Sequence, residues 1–137
     1  MHQLCKTTLL WIAILLLMPT ASQAKETLGK DLLPLMAWDY ADDEPTLRAM
    51  AECGINLVAF VPPKALDTCQ KLGIQAIVFD PEITPARWDQ PFQADRAAKV
   101  LPALIKKVNN HPAVYGYHLK DEPDPTQFAE LAKSVAM

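Results

Sequence analysis

Short apolar runs alternate with helical periods along this chain. In the clearest pair, the sequence Gly-Ile-Asn-Leu-Val-Ala-Phe at 54–60 is echoed by Gly-Ile-Gln-Ala-Ile-Val-Phe at 73–79. Glycine just past a helix readily takes the left-handed conformation that ends it. The residues that follow are too continuously apolar for a half-exposed antiparallel strand and are typical of a buried parallel strand. We therefore expect each glycine to end a helix and each run to form a buried strand.

The same alternation extends to both sides of this repeat. Apolar residues predict a first strand over 32–38 and a fourth over 114–119. Pro102 lies inside the third helical period, where proline removes a hydrogen bond, so we expect a kink or a break near Val100. The positions with helical spacing are Leu47, Met50 and Ala51, then Leu66, Cys69 and Leu72, then Ala97, Val100, Leu101, Leu104, Ile105 and Val108, and finally Phe128, Leu131, Ala132 and Val135.

The order βαβαβαβα indicates an α/β fold with parallel strands and right-handed crossovers. It fits either a small open doubly wound sheet or the first half of an eight-fold barrel, which normally takes about 250 residues. No glycine cap, proline or polar tail follows Val135, so the last helix lacks an expected stop signal. We therefore interpret residues 25–137 as a partial (β/α) barrel domain. It would be the N-terminal half of a (β/α)8 TIM barrel, with four βα units, truncated at its C-terminus.

The first 24 residues predict a secretory signal peptide. Lys6 precedes an apolar run at 9–18, and Pro19 and the small residues at 21–24 follow it. Cleavage after Ala24 would give a secreted or periplasmic protein. An uncleaved membrane anchor is the alternative. No later segment is continuously apolar over the roughly 20 residues that a span requires, so we expect no stable membrane span after cleavage.

Charge and cysteine content narrow the classes of function. The chain has 13 basic and 16 acidic residues, with a net charge of −3, and its one local basic cluster is Lys106-Lys107, so we expect no nucleic-acid partner. Without the signal, Cys53 and Cys69 remain. They could form a disulfide in an oxidising compartment, although burial as small apolar residues is the favoured interpretation. Their spacing is not that of zinc ligands, and we expect neither a metal nor a cofactor.

The tripeptide Asp-Glu-Pro occurs twice, at 43–45 and at 121–123. In the first copy Asp43 or Glu44 can cap the helix that Pro45 begins. In the second copy the segment 124–127, Asp-Pro-Thr-Gln, already supplies a cap, a proline and a glutamine for the last helix. Asp121 and Glu122 are then left at the carboxyl end of a strand, which is where barrel active sites lie. The alternative is that they bind loop amides or a neighbouring arginine.

The segment at 111–123, His-Pro-Ala-Val-Tyr-Gly-Tyr-His-Leu-Lys-Asp-Glu-Pro, resembles the fourth-strand region of barrel glycoside hydrolases. The resemblance is strongest to relatives of family 42 β-galactosidases and to cellulase-like enzymes. It implies a carbohydrate substrate, an O-glycosidic bond in an oligo- or polysaccharide, a retaining mechanism, and Glu122 as the general acid/base. The family has Asn before this Glu, whereas this chain has Asp121, which when ionised can only accept hydrogen bonds.

The same resemblance implies a nucleophilic Glu near the end of a seventh strand, beyond the four strands predicted here. Glycoside cleavage needs this second carboxylate on the opposite face of the sugar. We therefore expect the 137-residue chain alone to be inactive. A non-catalytic carbohydrate-binding or cell-surface barrel module is the main alternative. A lyase or metal-dependent hydrolase is a third, although no histidine-rich ligand set supports it.

Other strand ends carry candidate substrate-binding residues. Trp38 and Asp39 follow the first strand, and Trp88 lies in the loop after the third. Either tryptophan could stack on a sugar ring, although packing is the favoured interpretation for Trp38. His118 has the same parity as Glu122 on an ideal strand, which makes it a candidate, although burial is the simpler explanation. With Asp121, these residues complete the predicted substrate-binding set.

Overall fold

The computed structural model describes residues 33–84 and 89–135. The predicted signal at 1–24 and Trp88 lie outside these residues. The described part forms a four-stranded parallel sheet in the order β1-β2-β3-β4, and helices alternate with the strands as expected. The elements are β1 Met36–Ala37, α1 Glu44–Glu52, β2 Leu57–Val61, α2 Leu66–Leu72, β3 Gln75–Val78, α3 Ala94–Val108, β4 Val114–Tyr117 and α4 Phe128–Val135, with 3-10 turns at Pro63–Ala65 and Pro125–Gln127.

All strands are parallel, so their carboxyl ends lie along one edge of the sheet. Leu57 of β2 lies opposite both Met36 of β1 and Gln75 of β3, and Ala76 of β3 lies opposite Val114 of β4. The register shifts once between β2 and β3 and once between β3 and β4. The strands are shorter than the apolar runs, most clearly β1, which has two residues. Trp38, Phe79 and His118 therefore lie just beyond the carboxyl ends of β1, β3 and β4.

The two glycines of the repeat have the predicted role. Gly54 and Gly73 follow α1 and α2 with φ values of 85° and 72°, in the left-handed region. A β-carbon at either position would meet no atom within 4 Å, so backbone conformation rather than space requires glycine there. Each glycine lets the chain turn from a helix into the next buried strand.

The core lies between the sheet and the helices. Val58, Val61, Val78 and Val114 are at most 1% exposed, and they pack with helical residues that include Leu47, Cys69, Leu101 and Leu104. Burial of each such side chain contributes about 1.5–3 kcal/mol. Among the described residues, no helix is both long and apolar enough to cross a bilayer.

The two described cysteines are both free. Cys69 is buried, as expected, and burial raises the pKa of its thiol to about 11. Cys53 is exposed at the C-terminal end of α1, so its expected burial is wrong. Cys53 is the C-cap residue of α1, one residue beyond Glu52, where the helix ends.

The helix α3 continues without a break through Pro102, so the expected break near Val100 is wrong. Pro102 lies on the exposed face, where water can satisfy the carbonyl that loses its N–H partner. On the opposite face, Ala97, Leu101 and Leu104 are buried against the core. Apolar packing along the whole helix therefore offsets the missing hydrogen bond.

Candidate active site

Four rings, one from each strand end, meet at the carboxyl edge of the sheet. We call Trp38, Phe60, Phe79 and His118 the ring cluster. Phe60 is at its centre, with ring-centroid distances of 4.9 Å to Trp38, 4.5 Å to His118 and 6.0 Å to Phe79. Most of these contacts are edge-to-face, the arrangement that aromatic quadrupoles favour. The cluster therefore forms an aromatic patch at the carboxyl edge of the sheet.

Trp38 is the outermost ring of the cluster. Its side chain is 53% exposed, although its ring packs against Phe60 and lies 5.9 Å from that of His118. Packing and an accessible face thus occur together in this residue. Asp39 beside it is exposed, and its Oδ1 accepts a hydrogen bond of 2.7 Å from the backbone N–H of Tyr40. One carboxylate oxygen of Asp39 is thus already used in shaping the loop.

Phe60 and Phe79 were not among the predicted site residues. They occupy the same final position of the internal repeat, so the repeat itself is the signal that could have identified them. Phe60 has a φ of 55°, which is rare for a bulky residue, and it lies within the register shift between Val58 and Val61. This local departure from ideal strand geometry accompanies the placement of its ring at the centre of the cluster.

His118 is the buried polar member of the cluster, with 7% of its surface exposed. Its Nδ1 lies 3.2 Å from Thr84 Oγ1, and the same hydroxyl donates to the backbone carbonyl of His118 at 2.9 Å. Burial lowers the pKa of His118, and the charge of Asp121 opposes this shift less strongly. The imidazole is therefore neutral near pH 7. Asp121, half-buried, is close enough to act on it electrostatically.

Glu122 lies in the loop beyond β4 and is exposed. Its backbone is left-handed, with a φ of 42°, and its carboxylate makes no hydrogen bond or ion pair with the residues that the structure describes. β4 ends at Tyr117, before either residue. The argument that His118 and Glu122 lie on the same side of one strand is therefore wrong. The alternative of a carboxylate bound to loop amides or to an arginine does not apply to Glu122 in the described part of the chain.

The two Asp-Glu-Pro copies differ as predicted. Asp43 Oδ1 accepts from the backbone N–H of Thr46 at 2.9 Å and caps α1. Near the second copy, Asp124 caps the 3-10 turn that leads into α4 by accepting from Thr126 at 2.9 Å. The predicted capping role of Gln127 is wrong, because its Oε1 instead accepts from the backbone N–H of Phe92 at 3.0 Å. Neither cap uses Asp121 or Glu122.

The described residues contain no group of three or more His, Cys, Asp or Glu side chains that could hold a metal ion. Within this part of the chain, the arrangement supplies a partly exposed aromatic surface, a buried neutral histidine and an exposed carboxylate. An exposed aromatic surface can bind an apolar ring face, and an exposed carboxylate can act as an acid or base.

Comparison with known proteins gives one informative likeness. No family model matches the chain, and no curated protein matches it in sequence. Its structure is similar to that of the endoglucanase Cel5A of Pseudomonas stutzeri, with a TM-score of 0.56 and 13% sequence identity. The match covers 80% of this chain and 48% of that one, so the chain spans about half the length of this neighbour. At this identity the likeness shows the fold alone, an α/β fold consistent with a TIM-barrel neighbour. The finer relation to family 42 stays a prediction.

Proposed function

We propose that this chain is the N-terminal part of a secreted or periplasmic glycoside hydrolase, with Glu122 as its general acid/base. The substrate class is an oligo- or polysaccharide, and the reaction is cleavage of an O-glycosidic bond with retention. Residues 1–24 act as the signal, and residues 25–137 form the first half of the catalytic barrel. The observation that carries the proposal is the exposed carboxylate of Glu122, which has no partner among the described residues and lies on a left-handed backbone at the carboxyl edge of the sheet.

The left-handed backbone conformation of Glu122 is unfavourable for the stability of the fold. A residue with a β-carbon loses about 1–2 kcal/mol in the left-handed region, and Asn, Asp or Gly would fit more easily. Glu122 recovers none of this through a hydrogen bond or ion pair with described residues. Strained residues of this kind concentrate at active sites, where the fold holds a side chain in a required position. Catalysis supplies a reason for both the residue and its conformation.

The ring cluster supports a carbohydrate as the substrate. Sugar rings carry C–H groups on one face, and those groups pack well on an exposed aromatic face. Trp38 offers such a face. Asp39 uses its Oδ1 to bind the backbone N–H of Tyr40, and its other carboxylate oxygen does not take part in that bond. Asp121 stands where related enzymes have Asn, so it would accept from a sugar hydroxyl rather than donate to it. Trp88, which lies between β3 and α3 in the sequence and outside the described residues, is proposed as a second stacking residue.

Hydrolysis needs one carboxyl group to protonate the leaving oxygen and a second carboxylate to attack the anomeric carbon. The four described strands supply Glu122 for the first role. We assign the second to a further strand of the complete barrel, and the 137-residue chain by itself is expected to be inactive.

The proposal is tested on the complete protein that contains this chain. Wild type and Glu122→Gln are compared on carboxymethylcellulose and on a panel of nitrophenyl β-glycosides. We expect Glu122→Gln to lower kcat by about 100-fold or more, since general acid catalysis contributes roughly 10²–10⁴. Glu44→Gln is the matched control, because Glu44 occupies the same position in the first Asp-Glu-Pro copy. Unchanged activity in Glu122→Gln would remove Glu122 from the mechanism, and sugar binding without any hydrolysis would favour the carbohydrate-binding module.

A further inference from the structure

The contacts of His118 define which of its ring nitrogens carries the proton. The Thr84 hydroxyl has one hydrogen, and the carbonyl of His118, 2.9 Å away, can only accept it. The hydroxyl oxygen is then free to accept from Nδ1 of His118, 3.2 Å away. This arrangement satisfies both contacts. If the hydroxyl instead donated its hydrogen to Nδ1, the hydroxyl oxygen and the carbonyl oxygen would lie 2.9 Å apart with no hydrogen between them. Thr84, itself buried, therefore holds His118 as the Nδ1–H tautomer.

The other nitrogen of the ring, Nε2, is then an acceptor with a free lone pair. It is buried and has no hydrogen-bond partner among the described residues. A buried acceptor without a partner is unfavourable, so its presence needs an explanation. Burial also keeps the imidazole neutral near pH 7, so the lone pair stays available.

The surroundings of the ring indicate where a partner could enter. The ring centroid of Phe60, which is half-buried, lies 4.5 Å from that of the imidazole. The ring centroid of Trp38, which is about half exposed, lies 5.9 Å from it. Trp38 is the ring of the cluster with most access to solvent and lies beside the imidazole, so its side of the cluster is the route by which a ligand would approach His118.

We propose that His118 Nε2 accepts a hydrogen bond from a hydroxyl group of the bound sugar, and that Thr84 is the positioning residue that makes this possible. The inference rests on the proposed function and deepens it, because it makes the site selective for a ligand that brings a donor into an otherwise apolar surface. A ligand lacking that hydroxyl would leave Nε2 unpaired and would bind less tightly.

The tautomer is tested first, without any ligand, by long-range ¹H–¹⁵N correlation NMR on the 137-residue chain. We expect His118 to give the Nδ1–H pattern. His111 is an internal reference of the opposite kind, because its Nδ1 accepts from the backbone N–H of Ala113 and its Nε2 faces Asp67 at 3.1 Å. Thr84→Ser should retain the His118 pattern and Thr84→Val should lose it. An Nε2–H pattern for His118 in the wild type would overturn the inference.

The ligand contact is tested by titrating the same sample with cellotetraose, chosen because the structural neighbour is an endoglucanase. We expect the His118 Nε2 resonance to move toward that of a hydrogen-bonded nitrogen. We expect His118→Phe, which keeps an aromatic ring, to bind about tenfold more weakly, the equivalent of one hydrogen bond. His111→Phe is the control and should bind like the wild type.

The outcomes separate this inference from the proposed function. If cellotetraose binds the wild type and His118→Phe equally, with no change at Nε2, the role of His118 is overturned while a carbohydrate site remains. If neither cellotetraose nor the other oligosaccharides of a β-linked panel bind the wild-type chain, the ligand contact at His118 is overturned, and the hydrolysis assay on the complete protein decides the proposed function separately.

Discussion

The rings of Trp38 and His118 lie 5.9 Å apart, although two strands separate β1 from β4 in the sheet. Neighbouring strands are about 4.8 Å apart, so side chains standing upright on a flat sheet would be about 14 Å apart at these positions. The two side chains converge above Phe60, which fits a sheet that is concave on this side at its carboxyl edge. Closure of a barrel requires such curvature. The contact therefore favours the barrel over a flat doubly wound sheet.

The left-handed backbone of Glu122 leads to a stability prediction. We expect the free energy of unfolding of Glu122→Gly to be about 1 kcal/mol higher than that of Glu122→Ala. Glycine adopts the left-handed backbone without strain, whereas alanine keeps the strain. Urea denaturation monitored by circular dichroism measures the difference. Glu130 in α4 provides the control: there the order reverses, and Glu130→Gly is less stable than Glu130→Ala by about 1 kcal/mol. The same order at both positions would show that Glu122 is not strained.

Burial of His118 predicts a dependence of stability on pH. Its pKa in the folded protein is below the ordinary value of 6.5. As the pH falls, the unfolded state therefore takes up this proton first. The contribution of neutral His118 is fully present above about pH 6.5 and is lost as the pH falls toward the lower folded-state pKa.

The comparison of wild type with His118→Phe isolates this effect from the titration of carboxylates. Free energies of unfolding from urea titrations between about pH 7.5 and pH 5 should fall more steeply for the wild type, since the variant lacks the group that the unfolded state protonates. Parallel curves for the two proteins would contradict the prediction.

The fold could be predicted from the sequence to the extent that local chemistry decides it. The repeat with its two glycines, and the cap at Asp43, each depend on residues that are neighbours in the chain, and both were predicted. Pro102 was misjudged because packing along the whole of α3, rather than one hydrogen bond, decides whether that helix continues. Tertiary packing overrides local propensity there.

The candidate site was less predictable, because its geometry arises between elements. Thr84 and Phe60 reach His118 from a loop and from a strand that is not its neighbour, and no spacing in the sequence indicates either contact. The strain at Glu122 is likewise absent from any propensity rule, which would favour Gly or Asn at that position. The sequence nominates Glu122 as a candidate, and the structure adds that its backbone is left-handed.

The backbone requirement at Gly73 can be measured separately from space. We expect Gly73→Ala to lower the free energy of unfolding by about 1 kcal/mol, because its φ of 72° is unfavourable for a residue with a β-carbon although no atom lies within 4 Å of that position. Gly116 in β4 also has room for a β-carbon but has no left-handed φ, so Gly116→Ala should be neutral or slightly stabilising. Equal effects of the two substitutions in urea denaturation would contradict this account.

The free cysteines give the last prediction, which concerns reactivity. Cys53 is exposed, whereas Cys69 is buried with its pKa raised to about 11, and the thiolate is the form that reacts. In the folded protein, iodoacetamide should therefore label Cys53 quickly and Cys69 only after unfolding in urea. Mass spectrometry of tryptic peptides measures the labelling rate of each cysteine. In Cys53→Ser the fast labelling reaction should be absent. If neither cysteine is labelled without a reductant and both are labelled with one, the two form a disulfide, and α1 and α2 are held together by a covalent bond rather than by packing alone.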